Sequence, residues 1–339
     1  MNERYKTVIE IGNCKKDRHS AIYVPEREKN VFERLSKVNR GPMSESTLRA
    51  VYREIMSGAI SLEYPLRVAF LGPEATYTHL AAMSKFGRSV GYIPKSNLDE
   101  IFRDVREGRA DYGCVPVENS TEGVVNHTLD MFLEDSEVTI CSEINMRVRH
   151  CLLSNTKISD IRKVYAHAQT FSQCRCWLRE NLQSVELIET SSNTKAAEMA
   201  SMDESAAAIA SSLAGEVYGL QELCSDIEDN ASNTTRFLVI AKNQDFSKPT
   251  GDDKTSLCFA IKDRVGALYD SLLPFKESEI TLTMIESRPS KVKNWEYVFF
   301  VDLLGHVSDP AVKRALEKLA PMTSALRILG SYPRGSKAE

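Results

Sequence analysis

The chain of 339 residues lacks any large charge of one sign: 43 Lys and Arg stand against 47 Asp and Glu, a formal net charge of −4. So even a balance offers no broad basic surface, which argues against nucleic acid or an anionic membrane as the main partner. No apolar run approaches the roughly 18 residues needed to span a bilayer. The start, MNERYKTVIEIGNCKK, has acidic residues and neither the apolar core nor the small-residue cleavage site of a signal peptide. A cytoplasmic location is therefore expected. The eight cysteines (14, 114, 141, 151, 174, 176, 224 and 258) are too scattered for a disulfide framework, and Cys174 and Cys176 make C-x-C, not C-x-x-C. None of the six histidines falls in an H-x-H or H-E-x-x-H spacing, so no metal site is expected. Internal repeats and low-complexity tracts are missing too. What is present, 42% hydrophobic and 27% charged residues, is ordinary for a globular chain. At roughly 100–200 residues per domain, the length allows two or three domains.

Three segments differ in pattern. Residues 1–63 read as helical. Pro25 suits a first helical turn, with Glu26 and Glu28 favourable beside it, and Arg40-Gly41-Pro42 stops that helix. Ser44 is a good N-cap. Leu48, Val51, Tyr52, Ile55, Met56 and Ala59 then recur at helical spacing. Residues 66–242 alternate short apolar strands with helices, the rhythm of an α/β fold with a mostly parallel sheet, either one large sheet or two lobes facing a cleft. Strands are expected at 66–71, 90–93, 112–117, 148–153, 163–166, 185–189, 206–209 and 236–240. The polar stretch NQDFSKPTGDDK reads as a linker. Residues 255–335 then follow the order βαββαβ of a ferredoxin-like unit.

Polar clusters follow strands in the middle segment. Glu118, Asn119, Ser120 and Thr121 come directly after a strand that ends near Pro116, where side chains face a crevice; a helix N-cap is the competing reading. In GPEATYTH (72–79), Thr76 and Thr78 either cap the next helix or leave its N–H groups for a carboxylate. The hydroxyls and guanidinium of SNTTRF (232–237) suit an anionic substrate.

Taken in order, these motifs resemble the prephenate dehydratase family: GPEATYTH, PVENSTEG (116–123), VYAHAQTFSQC (164–174), the turn Ser192-Asn193-Thr194, and NTTRF (233–237). Gly266-Ala267-Leu268 and Glu286-Ser287-Arg288-Pro289 resemble the GAL and ESRP motifs of phenylalanine-sensing ACT domains, and the first segment is similar to an all-helical chorismate mutase. The whole chain resembles the bifunctional mutase–dehydratase family of phenylalanine synthesis. The resemblance implies a multidomain fold. An all-α chorismate-mutase-like segment with a truncated first helix would span 1–63. A two-lobed, periplasmic-binding-protein-like α/β dehydratase domain would span 66–242, and an α+β ferredoxin-like ACT domain 255–335.

The resemblance also implies roles. Prephenate loses CO2 and its ring hydroxyl to give aromatic phenylpyruvate, which calls for a proton or hydrogen bond on the departing hydroxyl, not for a cofactor. Thr235 would supply it, with Arg236 as a carboxylate ligand or a packing residue. Thr76, Thr78, Asn119, Ser120, Gln173 and Thr194 would hold the substrate. In the mutase segment Arg4, Lys15, Arg27, Glu28 and Glu63 fall where the family places charge around chorismate. Glu63 would serve the ether oxygen only when protonated, which favours mildly acidic pH. Gly266, Ala267, Leu268, Glu286, Ser287, Arg288 and Pro289 would bind L-phenylalanine between two such domains, in a homodimer or homotetramer. This sequence departs from the family pattern at Ala75, where glycine is usual, and at Ala166 and Ala168, where serine and proline are usual; weaker substrate binding is expected from the lost hydroxyl. Val24 and Ala59 stand where polar contacts are common in the mutase. A dehydratase whose helical segment is only a dimerisation module, and a non-catalytic amino-acid sensor, remain alternatives.

Overall fold

The computed structural model describes residues 6–7, 23–262, 264–290 and 297–336. The first described helices are α1 (Pro25–Val38) and α2 (Glu45–Glu63). Pro25 opens α1, where its missing N–H costs no helical bond. Ser44 Oγ accepts from Thr47 N at 3.1 Å, a cap worth about 1 kcal/mol. The pair packs onto the next unit: the Tyr23 ring lies 5.0 Å from Phe86 and 5.6 Å from Tyr112. Gly87, at φ 74°, lets α2 come close, since a Cβ there would lie 2.4 Å from Ser57 Cβ.

Lobe one follows: β1 (Arg67–Leu71), α3 (Tyr77–Phe86), β2 (Gly91–Lys95), α4 (Leu98–Arg106), β3 (Tyr112–Asn119), β4 (Gly123–Val124), α5 (Asn126–Glu134) and β5 (Val138–Arg147). The chain then crosses to lobe two, with β6 (Cys151–Ser154), β7 (Lys163–His167), α6 (Ala168–Gln173), α7 (Arg175–Asn181), β8 (Glu186–Thr190), α8 (Asn193–Ser201), β9 (Ala206–Ala210), α9 (Ser212–Tyr218) and β10 (Gln221–Cys224). It returns to lobe one as β11 (Thr234–Lys242). The strand orders are β2-β1-β3-β11-β5, with β4 beside β3, and β10-β6-β9-β7-β8.

A mostly parallel sheet was the expectation, and both sheets are mixed. In lobe one β1 runs parallel to β2 and β3, whereas β11 is antiparallel to β3 and β5. In lobe two only β9–β7 and β7–β8 are parallel. The crossings account for the change: the strand that leaves lobe one and the strand that re-enters it lie side by side and run in opposite directions. Strand β5 was not expected, and the strand expected at 148–153 is shortened, because residues 148–150 form the crossing.

The last unit comprises β12 (Asp253–Ile261), α10 (Ala267–Glu277), β13 (Leu282–Pro289), β14 (Tyr297–Leu304), α11 (Pro310–Leu319) and β15 (Thr323–Pro333). Its antiparallel sheet has the order β13-β14-β12-β15. Strand alternation divides its residues. Leu257, Phe259, Val301 and Leu303 pack on Phe275, Val312 and Leu319. Cys258, Phe300, Leu329 and Tyr332 share a core with Val117, Ile140 and Leu238 of lobe one. Gly330 permits that contact, since a Cβ there would sit 2.2 Å from the Ile140 carbonyl oxygen. Each large apolar side chain in this shared core contributes about 1.5–3 kcal/mol relative to exposure.

Candidate active sites

Thr235, the second residue of β11, lies opposite Asn119, the last residue of β3. Asn119 Nδ2 donates to Thr235 Oγ1 at 2.8 Å and to Asn233 Oδ1 at 2.9 Å. Its own Oδ1 accepts the N–H groups of Thr121 and Glu122 at 2.9 and 3.0 Å. An oxygen that already accepts from Asn119 has its hydroxyl proton left to give. Among the described residues that proton has no hydrogen-bond acceptor. Asn119 was expected to bind substrate; instead its donors go to Asn233 and Thr235, so it orients the threonine. Ser120 is also committed, because its Oγ accepts from Thr234 N at 3.0 Å and closes the turn.

The crossings stand beside this pair. Val148 N bonds Asn233 O at 2.8 Å, and Ile227 N bonds His150 O at 3.1 Å. His150 Nε2 meets Gln173 Oε1 at 2.8 Å, and its Nδ1 meets Tyr77 OH at 2.8 Å. Tyr77 OH also donates to Arg149 O at 2.6 Å. Burial depresses the His150 pKa, so the ring is neutral near pH 7. Gln173 presents Oε1, and not its NH2, to the ring. Lobe two adds Asn193 Oδ1, which accepts from His167 N at 3.0 Å and Thr170 Oγ1 at 2.9 Å.

Thr78 and Thr194 lie nearly buried in the first turns of α3 and α8. Thr76 was a candidate for substrate and is spent on structure: its Oγ1 accepts from His79 N at 3.3 Å and donates to Leu71 O at 2.9 Å. His79 Nδ1 accepts from Ala75 N at 3.1 Å, and its ring stacks on Phe70 at 4.3 Å. Ala75 itself sits at φ 63°, which explains why glycine is the usual residue there. Ala166 is fully buried in the core of lobe two, so its missing hydroxyl bears on packing and not on substrate.

Of the two roles expected for Arg236, its contacts match the packing one and not the carboxylate ligand. Successive side chains alternate across a strand, so it faces away from the cleft. Its Nε donates to Glu143 Oε2 at 2.7 Å, its Nη1 lies 2.5 Å from Asp302 Oδ2, and its Nη2 reaches Tyr332 OH at 3.2 Å. Buried and held by these three partners, the guanidinium is turned away from the cleft. The sequence reading missed Tyr77, His150 and Asn233. A histidine beside two arginines, in Arg147-Val-Arg-His150, was the one signal for the crossing.

A second cavity, of about 290 Å³, lies between α1, α2 and α3. Arg27, Glu28 and Glu63 line it together with Arg53 and Lys85, and Val24 and Ala59 form part of its wall. Glu28 accepts from Tyr23 OH at 2.8 Å and pairs with Lys85 Nζ at 2.8 Å. Arg4 and Lys15 lie outside the described residues.

In the last unit Gly266 is the N-cap residue directly before α10, at φ 79°. Register places Arg288 beside Val298 and Val298 beside Ala260, so both motifs lie at one end of the sheet. Val265, Leu268, Tyr269, Ile285 and Tyr297 are exposed there. The seven candidate residues do not form one group, however. Glu286 and Arg288 are half-buried while Ser287 and Pro289 are exposed, and Arg288 makes two bonds of 2.9 Å to the Asp130 carboxylate of α5.

These features define a two-lobed α/β protein with a polar cleft at the lobe crossings, preceded by a charged helical cavity. The family model for prephenate dehydratase matches residues 68–245, and that for chorismate mutase type II matches residues 1–64. A bifunctional chorismate mutase/prephenate dehydratase of Aquifex aeolicus is 49% identical over 98% of this chain and 93% of its own length. Among solved structures, a prephenate dehydratase from Arthrobacter aurescens in complex with L-Phe aligns at TM-score 0.73 and 34% identity, over 79% of this chain and 90% of that one. GqqA, described as a novel type of quorum quenching acylase, aligns at TM-score 0.73 and 28% identity, over 79% of this chain and 98% of its own. The chain belongs to the bifunctional chorismate mutase/prephenate dehydratase family.

Proposed function

We propose that the chain converts chorismate to prephenate in its helical segment and prephenate to phenylpyruvate, CO2 and water in its cleft, as a step of phenylalanine synthesis. The Asn119–Thr235 hydrogen bond carries the dehydratase reading, because it leaves the threonine proton as a donor. The ring carboxylate leaves as CO2, its bonding electrons enter the ring, and the C–O bond to the hydroxyl breaks. The departing oxygen takes one proton by way of Thr235, which recovers it from solvent. Threonine is a weak acid, so it acts as a hydrogen-bond donor within a concerted elimination. With Arg236 engaged elsewhere, the first turns of α3 and α8 and the NH2 of Gln173 are the anchors for the remaining carboxylate. Acyl hydrolysis, the activity named for GqqA, needs a nucleophile with an adjacent base. Among the described residues Thr235 has no His, Asp or Glu within hydrogen-bond reach.

The mutase reading rests on the cations around the 290 Å³ cavity, which suit a dianion whose ether oxygen gains charge as the bond breaks. The three units at 1–63, 66–242 and 255–335 divide the work between mutase, dehydratase and regulation. The C-terminal unit acts as an ACT domain. Its exposed apolar end pairs with that of a second copy, and L-phenylalanine binds between them with Leu268 and Ser287 nearby. No helix among the described residues is long and apolar enough to cross a membrane; the cytoplasm is the proposed location. Phenylpyruvate formation, assayed from prephenate and separately from chorismate, tests the reading. Product from both supports two activities, product from prephenate alone removes the mutase, and product from neither removes the enzyme.

A further inference from the structure

Arg236 is adjacent to Thr235 in sequence but bonded to a different part of the molecule. Four charged side chains meet there, all nearly out of solvent: Arg236 and Lys254 at 9% exposure, Asp302 at 2% and Glu143 at 0%. The two buried cations and two buried anions sum to zero, and the more exposed Glu118 carboxylate lies 3.9 Å from Arg236 Nη1. Glu143 on β5 receives Arg236 and Lys254, each at 2.7 Å, and the N–H of Gly335 at 2.9 Å. Ser256 Oγ bonds Asp302 at 2.5 Å and Tyr332 OH at 2.7 Å. Lys254, Ser256, Asp302 and Tyr332 all belong to the C-terminal unit, so that unit grips the residue next to the candidate proton donor.

A docking contact alone would produce the same bonds anywhere along the interface, but this one sits at a break in the sheet. Between β11 and β3 the register shifts directly after Arg236: it opposes Glu118, whereas Phe237 opposes Pro116. A bulge re-aims nearby side chains, and proline brings no N–H to the ladder. On the β3 side the ladder is therefore irregular next to Thr235, while on the other side β5 pairs with it in unbroken register. Side-chain anchors add to the ladder there, with Asn119 on the cleft face and Arg236 on the other.

We propose that Arg236 is a positioning residue for the dehydration: Asp302 of the C-terminal unit, together with Glu143, holds its guanidinium and thereby sets the Thr235 hydroxyl. Nε and Nη2 donate to Glu143 and Tyr332 while Nη1 lies against the Asp302 carboxylate, an arrangement that lysine cannot reproduce. Small displacements of a reacting group are costly, up to about 100-fold in rate for 1 Å.

The proposal rests on the reading of Thr235 as the donor, and the test keeps the two apart. Asp302→Asn and Arg236→Lys are made in the full chain. Their kcat and KM for prephenate are measured well below the melting temperature, with circular dichroism for folding and the chorismate mutase rate as internal control. The expected result is a kcat at least about tenfold lower, a KM within about threefold of the parent, and an unchanged mutase rate. Folded variants with a kcat within about twofold of the parent overturn the proposal. So does a rise in KM alone, or a fall in kcat matched by an equal fall in mutase rate, which would mean general loosening. Should Asp302→Asn fail to fold, Arg236→Lys decides by the same criteria. A parent chain that forms no phenylpyruvate refutes the functional reading instead.

Discussion

The two candidate sites differ in their materials. The groups nearest Thr235 are neutral donors and acceptors, Asn119, Asn233, Gln173, a neutral His150 and the first turns of two helices, with the Arg147–Glu228 ion pair behind His150. The cavity between α1, α2 and α3 sets five charged side chains, Arg27, Arg53, Lys85, Glu28 and Glu63, in a lining that is otherwise largely apolar. The contrast matches the two reactions. An elimination that ends in an aromatic ring needs one directed donor, whereas a pericyclic shift needs its charge separation offset and no proton moved.

The sharpest test of that contrast separates the sites by mutation. Thr235→Ala is expected to lower dehydratase kcat at least about a hundredfold, the low end of general-acid help, with mutase rate and fold unchanged; steady-state rates from prephenate and chorismate check it. Arg27→Ala should do the reverse. A loss of about a hundredfold in mutase kcat is expected, with dehydration from prephenate untouched. If either change lowered both rates together, the sites would not be independent.

A smaller effect concerns the one titrating ring within the cleft. Burial lowers the pKa of His150, and of His79 behind it, below the usual value of about 6.5. His150 faces Gln173 and Tyr77, and the Glu228 carboxylate accepts its backbone N–H at 2.9 Å. As pH falls through about 6.5 the unfolded chain takes up protons before the folded one does, so stability is lost on the acid side. Melting temperature should drop by a few degrees from pH 7.5 to 5.5, and His150→Gln should shrink the drop. The smallest effect is at Ala75. Ala75→Gly relieves a positive φ worth about 1–2 kcal/mol but loses about 0.8 kcal/mol of methyl burial and loosens the unfolded chain, for a net change within about 1 kcal/mol. Ala75→Val puts a β-branched residue at the same φ and should lower the melting temperature more; thermal melts of the two variants check the order.

Local rules reached some of this and stopped at others. Pro25 and Ser44 act within one turn of their own helices, so their places could be read directly. Strand β5 could not, because Ser142, Glu143 and Asn145 interrupt its apolar pattern and the partners that make Glu143 tolerable lie on β11 and β12. The alternation that sends Thr235 to the cleft and Arg236 to the core is also a local rule, but which face is which depends on where the C-terminal sheet docks. Asn119 illustrates a further limit. Its residue type indicated hydrogen bonding and its position indicated the cleft, yet its role follows from Thr235, more than a hundred residues away.

Strands β5 and β11 are antiparallel neighbours, with Arg147 paired to Thr234. In topological terms lobe two, residues 148–233, is the loop of a hairpin that has grown to the size of a domain. Its two ends stay tied by the bond from Val148 to Asn233. Any rotation of that loop must be absorbed by two short stretches of backbone, and one of them ends where β11 begins, directly before Thr235. The width of the cleft and the aim of its hydroxyl are thus coupled at the neck of the hairpin.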